Sequence, residues 1–98
     1  MKREIDATRM AELIPYGHEN GLTATDLCRL LNLDNRTVRE LVAEVRKHEL
    51  VLNLQDGKGY FKPDEDDIDL VEHWVNQEKS RRRKISQNIA LARTYLGV

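Results

Sequence analysis

The sequence predicts a mainly α-helical protein with one small β-hairpin and a long C-terminal helix. Three observations support this fold class. Over most of the chain, apolar residues recur every three to four positions, which is the spacing of one helix face. The period changes to two only over residues 50–54, shortly before Asp56-Gly57, a dipeptide that favours hairpin turns. From Asp64 to Leu96 no proline or glycine interrupts a helical pattern. The length of 98 residues fits one domain.

The first helix is predicted over residues 4–14, where Met10 and Ile14 lie one turn apart on the same face. Pro15 ends it, because the residue before a proline is pushed out of the helical region. Residues 15–22 contain two glycines and are predicted to form a loop.

A second and a third helix follow, separated by three residues. Thr23 is a suitable N-cap, and Asp26 can complete a capping box with it. The helix should run to about Leu31. Asn32 can adopt the left-handed conformation that stops a helix. Asp34 is the next N-cap, for a helix predicted over residues 35–48. Its apolar face is formed by Val38, Leu41, Val42 and Val45.

The hairpin is predicted from the alternation of Leu50, Leu52 and Leu54 with other residues. A two-residue turn at Asp56-Gly57 pairs Leu52 with Phe61, which places Phe61 on the face of the three leucines. Both central residues of the favoured turn need a positive φ. Pro63 closes the second strand.

The long helix is predicted over residues 64–96 and begins with an acidic cluster, which the helix dipole favours. A strict alternation of three- and four-residue steps runs along it. Glu78 and Arg82 interrupt this apolar seam, so the segment is one helix with a polar centre or two helices. Thirty-odd residues span roughly 45–50 Å, which is longer than a small domain is wide.

Two short helices joined by a tight turn and followed by a hairpin form the plan of a winged helix-turn-helix. Residues 23–46 resemble the helix-turn-helix of biotin-repressor-type regulators, and residues 50–62 are similar to the wing of that family. The whole chain also resembles small prophage-type winged-helix proteins. The apolar positions that match the family are Leu27, Leu31, Leu33, Val38, Val42 and Val45. Two residues depart from it: Asn32 replaces a common glycine in the turn, and Glu49 replaces a glycine before the wing.

The resemblance implies a DNA-binding head in residues 1–63, with the third helix in the major groove of double-stranded DNA. Arginine can bind guanine and asparagine can bind adenine through two hydrogen bonds. The residues predicted to contact bases are Asn35, Arg36, Thr37 and Arg39. The residues predicted to contact the phosphate backbone are Arg46, Lys47, Lys58, Tyr60 and Lys62. A transcriptional regulator is the expected function.

The charge of the chain supports an alternative. Sixteen Lys and Arg nearly cancel seventeen Asp and Glu, which excludes a polybasic protein held to nucleic acid by bulk charge. Residues 35–62 carry six basic and four acidic side chains, and Glu40 would repel phosphate or accept a hydrogen bond from cytosine. A winged-helix module that binds another protein, as an inhibitor or scaffold without DNA, therefore stays open.

Residues 64–98 are predicted to form a dimerisation element. The apolar seam of this helix extends beyond the head and needs a partner, and a second copy of the chain is the simplest one. The residues predicted to form this interface are Val75, Ile85, Ile89, Ala92 and Leu96. A helix folded back on its own head is the alternative. The basic run at residues 81–84 has three interpretations: contact with the DNA backbone, contact with an acidic partner surface, or a solvated patch.

No pattern indicates catalysis, a cofactor or a metal. His18, His48 and His73 have no metal-ligand spacing with each other or with Cys28, which is predicted to be a small core residue. A single cysteine fits a reducing compartment, and neither a signal peptide nor a membrane helix is predicted. The expected location is the cytoplasm.

Overall fold

The computed structural model describes residues 6–98, and this part of the chain is mainly helical, as the sequence predicts. Its α-helices are α1 (Ala7–Leu13), α2 (Ala24–Leu31), α3 (Asn35–Val45) and α4 (Ile68–Leu96), with a 3₁₀ turn at His18–Asn20. We call residues 6–63 the head. The predicted start of the first helix, at residues 4 and 5, lies outside the described residues.

The caps of the three short helices are those that local chemistry dictates. The Asp6 carboxylate accepts a hydrogen bond from the Arg9 amide at 3.1 Å, which starts α1. Thr23 and Asp26 form a reciprocal capping box at the start of α2, as predicted. Asn32 ends α2 in the left-handed conformation, with φ 53° and ψ 48°, which confirms its predicted role.

The third helix is shorter than predicted. Asp34 caps α3 by accepting from the Thr37 amide at 2.9 Å, but the helix ends at Val45 rather than near residue 48. The chain then turns, and the amides of His48 and Glu49 both donate to the Val45 carbonyl. The Arg46 Nε donates to the Val51 carbonyl at 3.2 Å, so this side chain holds the turn against the segment that follows.

The predicted β-hairpin is not shown, because strand pairing in residues 6–98 is limited to isolated bridges. Leu52 and Phe61 form the predicted antiparallel pair, with hydrogen bonds of 2.8 and 3.1 Å. No second pair extends it toward the turn. The reason lies in the backbone of the turn, where Gln55 and Gly57 have positive φ and Asp56 does not. The tight turn with two left-handed residues therefore does not form at Asp56-Gly57.

Two further bridges fasten the 50–62 segment to the loop after α1. Leu22 and Tyr60 pair in the antiparallel sense, with hydrogen bonds of 3.0 and 2.7 Å. Tyr16 pairs with Lys62 in the parallel sense, through the Lys62 amide and carbonyl. The segment is thus held by distant parts of the chain rather than by its own turn.

The apolar side chains form two clusters. The first unites α1, α2 and α3, and its buried members are Met10, Ile14, Leu27, Val38, Leu41, Val42, Val45 and Val51. Cys28 is a free thiol packed against this cluster, as predicted. The second consists of Leu52, Leu54 and Phe61, covered by Leu70, Val71 and Trp74 of α4. Leu50, predicted to share that face, remains 45% exposed.

The last helix is continuous, which decides between the one-helix and two-helix predictions. Its 29 residues correspond to about 43 Å at ~1.5 Å per residue. Its N-terminal part packs on the head through Trp74, and the Gln77 amide donates to the Asn53 carbonyl at 3.1 Å. Every residue from 81 to 98 is exposed. None of the helices in residues 6–98 has the length and apolar content that crossing a membrane requires.

Candidate nucleic-acid interface

The outer face of α3 carries the residues predicted to read bases. Asn35, Arg36 and Arg39 are all exposed on its first two turns, while Thr37 is half-buried. The opposite face supplies the buried valines and leucine of the first cluster, so the helix cannot rotate without losing that packing. This arrangement fixes the direction in which the exposed side chains point.

The Asp34 cap stiffens the start of this helix. The Thr37 hydroxyl and amide both donate to the Asp34 carboxylate, and these hydrogen bonds hold the pKa of Asp34 below its usual value. Thr37 is thereby engaged in the cap. Its predicted base contact would have to share the hydroxyl with that role.

Internal ion pairs occupy part of the positive charge on α3. Arg36 Nε lies 3.2 Å from Glu40 Oε1, and Lys47 Nζ lies 3.0 Å from Glu44 Oε1. All four side chains are at least half exposed, so these pairs are weak and exchangeable. A phosphate or a base can replace the carboxylate, but the field of the unliganded surface is reduced.

Arg39 and Arg46 border a groove that the sequence did not predict. The groove, of about 540 Å³, lies between α3, the 50–62 segment and α4, and both Arg81 and Glu78 of α4 line it. The Arg46 guanidinium lies 5.5 Å from the centre of the Tyr60 ring, within cation–π range. An arginine of α3, the arginine that caps its end and an arginine of α4 therefore share one concave surface. The only sequence signal for it was the basic run at 81–84, whose position along α4 the helix dipole does not explain.

The predicted backbone contact at Lys62 needs correction. Its side chain is only 10% exposed, its ammonium lies 3.3 Å from a Glu49 carboxylate oxygen, and it sits 5.2 Å from the centre of the Tyr16 ring. An ammonium enclosed in this way is not presented to a phosphate, so we remove Lys62 from the candidate site. Lys58 is exposed, and Tyr60 is half-buried with its ring against Arg46.

The structure also contains a contact between His18 and Asp56 that the sequence does not predict. His18 Nε2 lies 2.6 Å from Asp56 Oδ2, and the imidazole packs edge-on against Phe61, with ring centres 5.2 Å apart. Burial alone would raise the pKa of Asp56, but hydrogen bonds from the Lys58 amide and His18 lower it overall. The pair joins residues 38 positions apart, which no local pattern reveals.

The residues predicted to form a dimer interface lie along one stripe of α4. Val75 is 37% exposed beside the head, and Ile85, Ile89, Ala92 and Leu96 are exposed on the part beyond it. The structure thus leaves the four residues beyond the head exposed and Val75 partly covered.

Comparisons with protein-family models, with curated proteins and with solved structures find no match to this chain. The candidate interface therefore depends on the geometry of the chain itself. Within residues 6–98, no group of three or more His, Cys, Asp or Glu side chains is arranged to hold a metal ion.

Proposed function

We propose that the chain is a sequence-specific double-stranded DNA-binding protein that acts as a dimer and regulates transcription in the cytoplasm. In this proposal α2 and α3 are a helix-turn-helix, the 50–62 segment is a short wing, and α4 joins two copies. The observation that carries it is the pair α2 and α3, capped at both starts and joined by a three-residue turn, with Asn35, Arg36 and Arg39 exposed on α3.

The geometry favours readout by the start of α3. In helix-turn-helix proteins the second helix lies in the major groove, with its N-terminal residues against base edges. Arg36 and Arg39 supply the fork that binds guanine, and Asn35 supplies the amide that binds adenine. Lys47, Lys58, Arg46 and Tyr60 flank this surface as candidate phosphate contacts.

A binding titration tests the proposal. Duplexes enriched from a random pool on the full chain are labelled, and fluorescence anisotropy is recorded at two salt concentrations. We expect a preferred duplex to bind more tightly than the ~10⁻⁴–10⁻⁶ M range of non-specific binding, with affinity falling as salt rises. Equal affinity for all duplexes within that range would reject sequence-specific DNA binding.

A second candidate is a module that binds a protein instead of DNA, as an inhibitor or scaffold. The ion pairs Arg36–Glu40 and Lys47–Glu44 favour it, because they reduce the basic field that DNA-binding surfaces usually present. Capture experiments on the full chain, with and without nuclease treatment, separate the two. A stable protein partner retained after nuclease, with no duplex enriched from the pool, would support this candidate.

A further inference from the structure

Beyond the head, α4 presents an apolar stripe to solvent. Ile85 is 58% exposed, Ile89 is 49% exposed and Leu96 is 70% exposed. At 100° per residue, this stripe continues the face through which Val71 and Trp74 cover the head. The head therefore covers this face of α4 only in part over the first third, where Ile68 and Val75 remain 65% and 37% exposed, and leaves the second half uncovered.

The spacing of this stripe is that of a coiled coil. Steps of three and four residues run without a break, so every position falls on an a or d site of a heptad. The a sites are Ile68, Val75, Arg82, Ile89 and Leu96, and the d sites are Val71, Glu78, Ile85 and Ala92. A second copy of the same helix is the occupant that matches this pattern.

The two charged sites decide the orientation of that copy. A parallel pair places each a site opposite the same a site of the partner, and each d site opposite the same d site. Arg82 would then face the partner's Arg82, and Glu78 would face the partner's Glu78. Like charges at two adjacent layers of a seam oppose the association.

We propose that two copies pair through α4 in an antiparallel orientation, with Glu78 of each helix opposite the partner's Arg82. This register produces two ion pairs of opposite charge around a two-fold axis near residue 80. It also matches the apolar sites on both sides. Val75 faces the partner's Ile85, Val71 faces the partner's Ile89, and Ile68 faces the partner's Ala92.

The surface of α4 fits this register. A shallow groove of about 340 Å³ beside Val71 and Val75, and another of about 400 Å³ from Trp74 to Arg82, lie where the partner's Ile89 and Ile85 would pack. Ile68, which is 65% exposed, would gain an apolar neighbour. The partner's Arg93 would reach the acidic cluster near Glu65, a further match of opposite charges.

A register confined to residues 85–96 is the nearest competitor. It would pair Ile85 with the partner's Leu96 and Ile89 with the partner's Ala92. That arrangement leaves Ile68 and Val75 uncovered and gives Glu78 and Arg82 no partner on the second copy, so Glu78 keeps only its contact with Arg81 of its own helix. The register around residue 80 covers all of them.

Charge reversal tests the register, which rests on the dimer in the proposed function. Dissociation constants are measured by sedimentation equilibrium for the full chain, for E78R, for R82E and for the double variant E78R/R82E. We expect each single variant to weaken the dimer by about tenfold or more, because both ion pairs become like-charge pairs. The double variant should recover most of the loss. R83E, which makes the same charge change outside the seam, is the matched control.

Disulfide trapping gives a second readout in a Cys28→Ala background. Val75→Cys mixed with Ile85→Cys should form a disulfide between the two variants, whereas Ile89→Cys alone should not link to itself. Single variants that dimerise like the unmodified chain, or an Ile89→Cys homodimer, would overturn the antiparallel register. A monomeric unmodified chain would overturn the dimer as well, while DNA binding is decided separately by the anisotropy titration.

Discussion

At the scale of single residues, the basic side chains around α3 differ in what already holds them. Arg36 and Lys47 have carboxylate partners, Lys62 is enclosed, and Arg46 is held by a carbonyl and an aromatic ring. Arg39 is exposed and lines the groove, and no ion pair holds it within residues 6–98. A side chain without an internal partner does not have to break an ion pair before it binds a base. Readout by α3 is therefore expected to depend most on Arg39.

Replacing Arg39 tests this expectation. Arg39→Ala should weaken binding to the preferred duplex by about tenfold or more and relax discrimination at one base pair, because a bidentate contact contributes about 1–3 kcal/mol. Anisotropy with the preferred duplex and its single-base variants measures both effects. Arg9→Ala, which removes an exposed arginine from α1, is the control. Unchanged discrimination would exclude Arg39 from base readout.

Asp34 gives the head a predictable response to acid. Its folded-state pKa lies below the ordinary 3.8 because Thr37 donates to the carboxylate. The Asp34 carboxylate therefore binds a proton more readily in the unfolded chain than in the folded one. The stabilisation is fully present above pH 3.8 and is lost as pH falls through the lowered value.

Asp34→Asn separates the charge of this cap from its hydrogen bond, because asparagine also caps helices. The variant should unfold a few degrees lower than the unmodified chain at neutral pH, and this difference should shrink as pH falls through the acidic range. Thermal unfolding followed by circular dichroism at several pH values measures it. Asp34→Ala, which loses both features, should remain the least stable at neutral pH. A difference between the unmodified chain and Asp34→Asn that is the same at every pH would contradict the assignment.

At the scale of elements, the helices could be predicted because they depend on nearby residues. The 50–62 segment could be predicted only in part because it depends on distant ones. The caps of α2 and α3 need only residues three positions apart, and those residues were visible in the sequence. The shape of the 50–62 segment depends on Leu22, Tyr16 and His18, which lie about 40 residues away in the chain. Period and turn propensity carry no information about such partners. For the same reason the enclosed position of Lys62 could not be foreseen.

The bridge between Leu22 and Tyr60 requires a glycine beside it. Gly59 has φ +84°, and a Cβ there would lie 2.3 Å from the Leu22 carbonyl carbon and oxygen. Gly59→Ala should therefore destabilise the fold by about 2–4 kcal/mol through strain and overlap. Gly57 has φ +86° but open space around it, so Gly57→Ala should cost only about 1–2 kcal/mol. Urea unfolding of both variants measures the difference, and equal losses would show that the Leu22 contact is not a constraint.

In the proposed function, the groove between α3 and α4 extends the DNA surface to the last helix. Arg81 lines this groove with Arg39 and Arg46, although it also lies 3.3 Å from Glu78. Arg81→Ala should reduce the slope of log affinity against log salt by about 1, uniformly across duplex sequences. Arg83→Ala removes a neighbouring charge that does not line the groove and should leave the slope unchanged. An unaltered slope in Arg81→Ala would show that no phosphate lies in the groove.

At the scale of the whole molecule, a net charge of −1 limits what one head can do. The ion pairs on α3 reduce the field further, so the non-specific part of DNA affinity should be small. A second head on the same duplex raises the overall affinity by an effective-concentration effect of about 10²–10⁴ without any new contact. In the proposed function, the exposed half of α4 brings this second head to the duplex by joining two copies of the chain. Charge balance and the length of α4 are therefore linked in the proposed function.

Ile89→Asp tests this link between the dimer and DNA binding. A carboxylate in the apolar stripe should give a monomer, while the fold of the head is preserved because Ile89 is exposed and lies beyond the residues of α4 that cover the head. Light scattering should report a mass near 11.4 kDa. Affinity for the preferred duplex should fall by about 10²-fold or more.

Leu91→Asp is the matched control for Ile89→Asp. Leu91 is 70% exposed and lies off the stripe, so its replacement should leave both the mass and the affinity unchanged. If Ile89→Asp becomes a monomer and still binds the preferred duplex as tightly as the unmodified chain, one head is enough for the full DNA affinity. The low charge of the molecule must then be offset within α3, by exchange of the Glu40 and Glu44 carboxylates for phosphates.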